Sequence, residues 1–138
     1  MIIRDAKISD AQVIYSLIAY YAELDRMLFK SLAQIYEGIE RFKVAEADGK
    51  VVGCCALQVI WEDLAEIKSL AVDRDYGGRG IGRSLVMACV ERANALGAGK
   101  IFTLTLEPDF FKKIGFEVVD KTTLPMKVWS DCAVCPKQ

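Results

Sequence analysis

The sequence predicts an α/β (α+β) fold with a mixed central sheet, a bulged and splayed fourth strand and about four flanking helices. Three observations carry this prediction. An Asp48-Gly49 pair lies between two strand-like runs, the strongest short signal for a hairpin. A strand-like run, Ile67 to Val72, leads through a glycine-rich stretch into a helical run from Ile81 to Leu96 and a further strand from Ile101 to Leu106, the order of a right-handed βαβ unit. From Leu64 to Val72 the large apolar residues are Leu64, Ile67, Leu70 and Val72, so strict alternation slips near Lys68 and Ser69, which predicts a β-bulge there.

The elements follow in order. Ile2 to Arg4 reads as a short strand, and Ser9 with Gln12 forms a capping box for a helix whose apolar stripe is Ile14, Leu17, Ile18 and Tyr21. A second helix begins at Ser31, with the stripe Leu32, Ile35, Tyr36 and Ile39. Between them the connector Asp25 to Lys30 is placed to overhang a site. Phe42 to Ala47 and Val51 to Ile60 are the hairpin strands, and the second is apolar nearly throughout, as a central strand should be. After the bulged strand, Leu85, Val86, Cys89, Val90, Ala93 and Leu96 give an amphipathic helix ended by Gly97. Asp109 caps a short helix through Ile114, Gly115 closes it, and Phe116 to Val119 with Met126 to Trp129 read as two final strands.

Composition excludes several function classes. The 138 residues suit one domain, 1–138, and 53% hydrophobic content is ample for a core. A net charge of -1 offers no general attraction to nucleic acid, so the expected partner is a small molecule. The start MIIRDAKISD is too polar for a signal peptide, and no apolar run approaches the roughly 20 residues that span a bilayer, so a soluble, cytoplasmic protein without membrane contact is expected. There is no histidine, which excludes Ser-His-Asp and Cys-His catalysis and most mixed-ligand zinc sites. Of the five cysteines, Cys54 and Cys55 are adjacent in a strand and Cys89 is in a helix, an arrangement that favours reduced thiols. Cys132 and Cys135 form a CxxC without the second pair that a zinc site needs.

The glycine-rich stretch, Arg79-Gly80-Ile81-Gly82-Arg83, opens a helix just after a strand. A helix N-terminus leaves N–H groups without intrahelical partners, and its macrodipole adds positive charge, so the stretch suits the phosphates of a nucleotide or phosphorylated cofactor. Gly77, Gly82, Arg83 and Ser84 match a P-loop at every position except its lysine, which carries the chemistry. For a dinucleotide fingerprint, Leu85 stands where the third glycine belongs.

With SLAV at the end of the bulged strand, RGIG opening a helix and FFKKIGF after the next strand, the chain resembles the GNAT superfamily of acetyl-CoA-dependent N-acetyltransferases over nearly its whole length. The resemblance implies a GNAT-like, mostly antiparallel sheet, acetyl-CoA as co-substrate and no metal. It implies that the cofactor pyrophosphate lies on the amides of Gly78, Gly80, Gly82 and Arg83, with Gly77, Arg79 and Ile81 completing the loop. The pantetheine arm would run along the backbone of Leu70, Ala71 and Val72. Where the family usually has Gln or Arg to open this motif the chain has Gly77, and Arg79 is placed to substitute.

The family's reaction is direct attack of an amine on a thioester, which needs a neutral amine and a polarised carbonyl. Glu66, just before the bulge, is the candidate base, directly or through water, and the Val72 N–H is the donor that the resemblance implies for the carbonyl. The tyrosine of the family motif FYxxxGF is Phe111 here, a residue expected to pack beside the cofactor arm. The strings CCALQVIWEDLAEIKSLAV and LPMKVWSDCAVCPK resemble, more narrowly, short stand-alone amino-acid N-acetyltransferases of the N-acetylglutamate synthase type, which serve arginine biosynthesis. That likeness implies L-glutamate as acceptor, with Lys30, Ser31 and Lys68 around it; the family more often has Arg at both lysines, and lysine lacks the bidentate fork. Phe111 and Gly77 keep open a non-catalytic acyl-CoA sensor, and another amine or a peptide stands as an alternative acceptor. A homodimer could form through an edge strand near Trp129 or through the CxxC tail.

Overall fold

The computed structural model describes residues 1–120 and 122. The strands are β1 (Ile2–Asp5), β2 (Phe42–Ala47), β3 (Lys50–Trp61), β4 (Leu64–Val72) and β5 (Lys100–Thr103), and the helices α1 (Ala11–Glu23), α2 (Leu32–Glu37), α3 (Ile81–Ala95) and α4 (Pro108–Lys113). The strands form one sheet in the order β1-β2-β3-β4-β5, antiparallel throughout except for the parallel pair β4 and β5 that α3 connects. The β2–β3 turn has Asp48 and Gly49 both at positive φ, +54° and +77°, which matches a type I′ turn and the twist of its strands.

The sheet is covered on both faces, so β3 has no polar side to show. Cys54 and Ala56 pack with Ile14, Ile18 and Ile35 of α1 and α2, while the alternate residues Cys55 and Leu57 pack with Leu85, Val86 and Cys89 of α3. Gly53 permits the closest approach of α3: a Cβ there would lie 3.0 Å from Leu85 Cδ1. Cys54, Cys55 and Cys89 are free and buried, and burial pushes the Cys54 thiol up to about 12, which leaves it inert as a nucleophile.

The bulge lies where the slip in alternation predicts it. Cys54 pairs with Ala71 and Ala56 with Lys68, so β4 carries an extra residue, and Ser69 sits at φ +58°. The bulge also reverses the faces of the strand. Ala65 and Ile67 point to α3 before it, whereas Ala71 points to α1 and α2 after it.

Four local expectations are corrected. Ser9 and Gln12 do not form the capping box; a 3-10 turn, Ile8–Asp10, precedes α1, and Asp10 Oδ2 accepts from the Lys7 N–H at 2.7 Å. Arg4 holds the same buried carboxylate at 2.8 and 3.1 Å and keeps it below the ordinary aspartate range, so an ionised group outcompetes a serine hydroxyl for the turn. β5 ends at Thr103 rather than Leu106, because its last pairing is Ile67 with Thr103 and β4 diverges beyond the bulge. α4 starts with Pro108 at its first turn and Glu107 at the N-cap instead of Asp109, since proline lacks the N–H that the first turn would leave unpaired. Phe116 to Val119 form no strand among the described residues, and the expected partner, Met126 to Trp129, lies outside them, as do Cys132 and Cys135. No helix among the described residues is long and apolar enough to cross a membrane.

Candidate active site

The divergence of β4 from β5 opens a cleft of about 780 Å³. Its floor is Glu66 to Leu70 and Val72 of β4, one wall is the stretch Thr103 to Glu107 with Phe110 and Phe111, and a third side is the connector from Arg26 to Lys30. The glycine loop closes the remaining end with Gly77, Gly78, Gly80, Ile81, Gly82 and Arg83. The sheet topology therefore brings together residues that are far apart in sequence.

The backbone of β4 is prepared for a ligand. Gly53 pairs with Val72, and the Asp73 N–H donates to the Val52 carbonyl at 2.8 Å, so Gly53–Val72 is a non-hydrogen-bonded pair. In such a pair the N–H and C=O of Val72 both turn away from β3, toward the side where β5 has already ended. The Val72 carbonyl accepts from the Tyr21 hydroxyl. The Val72 N–H faces the cleft, in the position of a donor to a carbonyl oxygen.

The loop is equally suited to an anion. Gly78 and Gly80 adopt φ +75° and +77°, with Gly80 as the α3 N-cap in left-handed conformation. The first backbone bond into α3 is from the Ser84 N–H to the Gly80 carbonyl, so the amides of Ile81, Gly82 and Arg83 belong to the turn that has no intrahelical acceptors. A Cβ on Gly82 would come within 3.3 Å of Phe110 Cζ, so glycine keeps the loop against the phenylalanine wall. Arg79 does not line the cleft; its guanidinium lies 4.8 Å over the Tyr76 ring, which Lys50 also approaches at 5.3 Å and whose hydroxyl donates to Asp48. Arg79 is thus held beside the loop, and Gly77 leaves room at its opening.

The opposite face of β4 carries the titratable groups. Glu66 is only 4% exposed, aligned with Gln58 and Phe102 on its neighbouring strands. Lys68 Nζ donates to Gln58 Oε1 at 3.1 Å and stands 3.9 Å from Glu66 Oε1. Lys30 of the connector lines the same cleft. The site thus pairs a buried carboxylate with lysine cations on the α1–α2 side of β4, and backbone donors with an anion-binding loop on the α3 side. Such an arrangement can hold an anionic amine against a phosphate-bearing acyl donor and take a proton from the amine.

Two further sequence-predicted residues lie outside the cleft lining. Ala71 is buried under α1, and Ser31 caps α2, its hydroxyl accepting from the Gln34 N–H at 3.1 Å while its N–H donates to Gln34 Oε1 at 2.9 Å. Phe111 is buried edge-on to Phe110 and Phe116, with ring centres 5.0 and 5.3 Å apart. Sequence reasoning missed Tyr21 and Arg26. Tyr21 was hidden in the apolar stripe of α1, and Arg26 in a connector read only as a whole; the pairing of a helix-start glycine with Phe110 was not visible before the fold was known.

Residues 8–116 match the family model described as the acetyltransferase (GNAT) family. An uncharacterized N-acetyltransferase of Chlorobaculum tepidum is 40% identical over 136 residues, covering 99% of this chain and 88% of its own length. An amino-acid acetyltransferase of Mycobacterium tuberculosis is 38% identical over 133 residues, 94% of this chain and 76% of the relative. Among solved structures, N-acetylglutamate synthase of Neisseria gonorrhoeae in complex with coenzyme A and N-acetyl-glutamate superposes with a TM-score of 0.91 at 29% identity, over 96% of this chain and 32% of that one.

Proposed function

This chain belongs to the acetyltransferase (GNAT) family, and on that premise we propose that it transfers acetyl from acetyl-CoA to the α-amino group of an acidic amino acid, L-glutamate. The observation that carries the acceptor is the placement of Lys30 and Lys68 in the cleft with the buried Glu66 carboxylate. The kinship with an amino-acid acetyltransferase and an N-acetylglutamate synthase supports the same reading, and with it a role in arginine biosynthesis in the cytoplasm as a single domain.

The cleft fits acetyl-CoA. The amides of Gly78, Gly80, Ile81, Gly82 and Arg83 receive its pyrophosphate, the β4 backbone at Leu70 and Val72 receives the pantetheine arm, and Phe110 and Phe111 form the apolar wall beside it. Bound there, acetyl-CoA supplies a thioester whose carbonyl an amine can attack. The Val72 N–H donates to that carbonyl oxygen as negative charge develops on it. Glu66, directly or through water, takes the proton from the incoming ammonium, and its shielding from solvent keeps the carboxylate positioned for one ligand group. Lys30 and Lys68 hold the acceptor carboxylates. Phe111 has no hydroxyl to protonate the departing thiolate, whose modest basicity lets it leave without a fixed acid.

Lys30→Met tests the acceptor assignment. Removing one charge-assisted contact is expected to raise KM for L-glutamate by roughly 10- to 100-fold while KM for acetyl-CoA stays within about twofold. Equal loss of both constants, or no change in either, would remove Lys30 from the acceptor site. A second reading, an amine with a larger apolar group, draws on Leu28 and Phe29, which line the same wall and remain 46% and 57% exposed.

A further inference from the structure

Building on the reading of Val72 as the carbonyl donor, we infer that Tyr21 is a positioning residue that locks the Val72 peptide and ties it to the acceptor-side connector. Val72 lies beyond the last β4–β5 pairing, Ile67 with Thr103, so no strand among the described residues pairs with it on that side. Among the described residues its ladder restraint comes from β3, through the neighbouring bond from the Asp73 N–H to the Val52 carbonyl. The Tyr21 hydroxyl supplies the missing restraint by donating to the Val72 carbonyl across 51 residues of sequence. The N–H and C=O of Val72 belong to consecutive peptide planes that meet at its Cα and turn to the same side, so holding the carbonyl restrains the Val72 backbone torsions and, through them, the direction of the N–H.

Tyr21 is held on both sides. Its ring meets Tyr20 edge-on at 5.0 Å, and it lines the cleft while half-buried. Burial raises its hydroxyl above the ordinary tyrosine range, so it remains a neutral O–H donor through the physiological range. Its own carbonyl accepts from the Leu24 N–H at 3.2 Å and the Arg26 N–H at 3.0 Å, the bonds that end α1 and launch the connector toward Lys30. One residue therefore joins the element carrying acceptor-side cations to the amide that faces the donor carbonyl.

Tyr21→Phe removes the hydroxyl and keeps the ring. The expected result is a roughly tenfold fall in kcat, the size of one hydrogen bond expressed in the rate. Affinity for CoA, which lacks the acyl carbonyl, should stay within about twofold, because the loop contacts are untouched. The pH profile should keep its shape, since the hydroxyl is not the proton donor. Tyr20→Phe is the neighbouring control; its hydroxyl accepts from Arg74 at the surface, at 3.3 Å, and kcat should stay within about twofold of the parent. An unchanged kcat in Tyr21→Phe overturns the inference, and so does a parallel fall in kcat, CoA affinity and melting temperature. The preference of the protein for acetyl-CoA over CoA, measured by titration without any acceptor, separates this inference from the glutamate reading. If wild type does not acetylate glutamate, the acceptor reading fails, yet loss of that preference in Tyr21→Phe still supports the inference and its retention overturns it.

Discussion

Glu66→Gln is expected to lower kcat by about 10²- to 10⁴-fold, the range associated with loss of a general base, while CoA affinity stays within about twofold. The expectation follows from position. Glu66 sits one residue before the last β4–β5 pairing, so its side chain reaches the point where the cleft opens, on the α1–α2 face with Lys68. The glycine loop and the β4 backbone beyond the bulge, to which the proposed function assigns the donor, lie on the other side of that point. Glutamine keeps the size and hydrogen-bonding shape of the side chain but cannot accept a proton from an ammonium. Stopped assays of thiol release together with CoA titration separate the two effects. Unchanged turnover would remove Glu66 from the chemistry, and a joint loss of turnover and CoA binding would make it a structural residue.

Gly82→Val should act on the donor side in the opposite pattern. A Cβ at this position already approaches Phe110 Cζ at 3.3 Å and Val72 Cγ2 at 3.9 Å, and valine adds two methyl groups to that tight contact. Overpacking of this kind costs about 1–3 kcal/mol, and here the strain falls on the loop amides and the phenylalanine wall. CoA affinity is expected to fall roughly 10- to 100-fold, measured by titration calorimetry. An affinity within twofold of the parent would mean that the loop does not carry the cofactor.

The contrast between the two halves of the cleft also explains what the sequence made legible. The donor half was readable because its requirements are local. A bulge announces itself as a slip in alternation at Lys68 and Ser69, and a helix start between glycines announces itself in RGIG. Both appear where expected, as do the hairpin turn at Asp48 and Gly49 and the glycine that ends α3. The acceptor half depends on contacts between distant elements. Tyr21 reaches Val72 across the sheet, and Arg26 and Lys30 meet the cleft only because the connector folds over β4. Elsewhere a local pattern gave the wrong partner, since Asp10 displaced Ser9 because Arg4 of β1 holds it. The length of β5 was likewise set by its neighbour, since a strand ends where its partner diverges, whatever its own propensity.

The central claim is that the cleft acetylates an acidic amino acid. Its most direct test is release of free CoA thiol from acetyl-CoA at one enzyme concentration, with L-glutamate, L-aspartate, L-glutamine, L-lysine, spermidine or no acceptor. The account predicts glutamate-dependent release with a kcat/KM at least about tenfold above that for glutamine, whose side chain differs only by the charge that Lys30 and Lys68 would meet. Equal rates with glutamine, a preference for lysine or spermidine, or release no faster than the acceptor-free rate would contradict it.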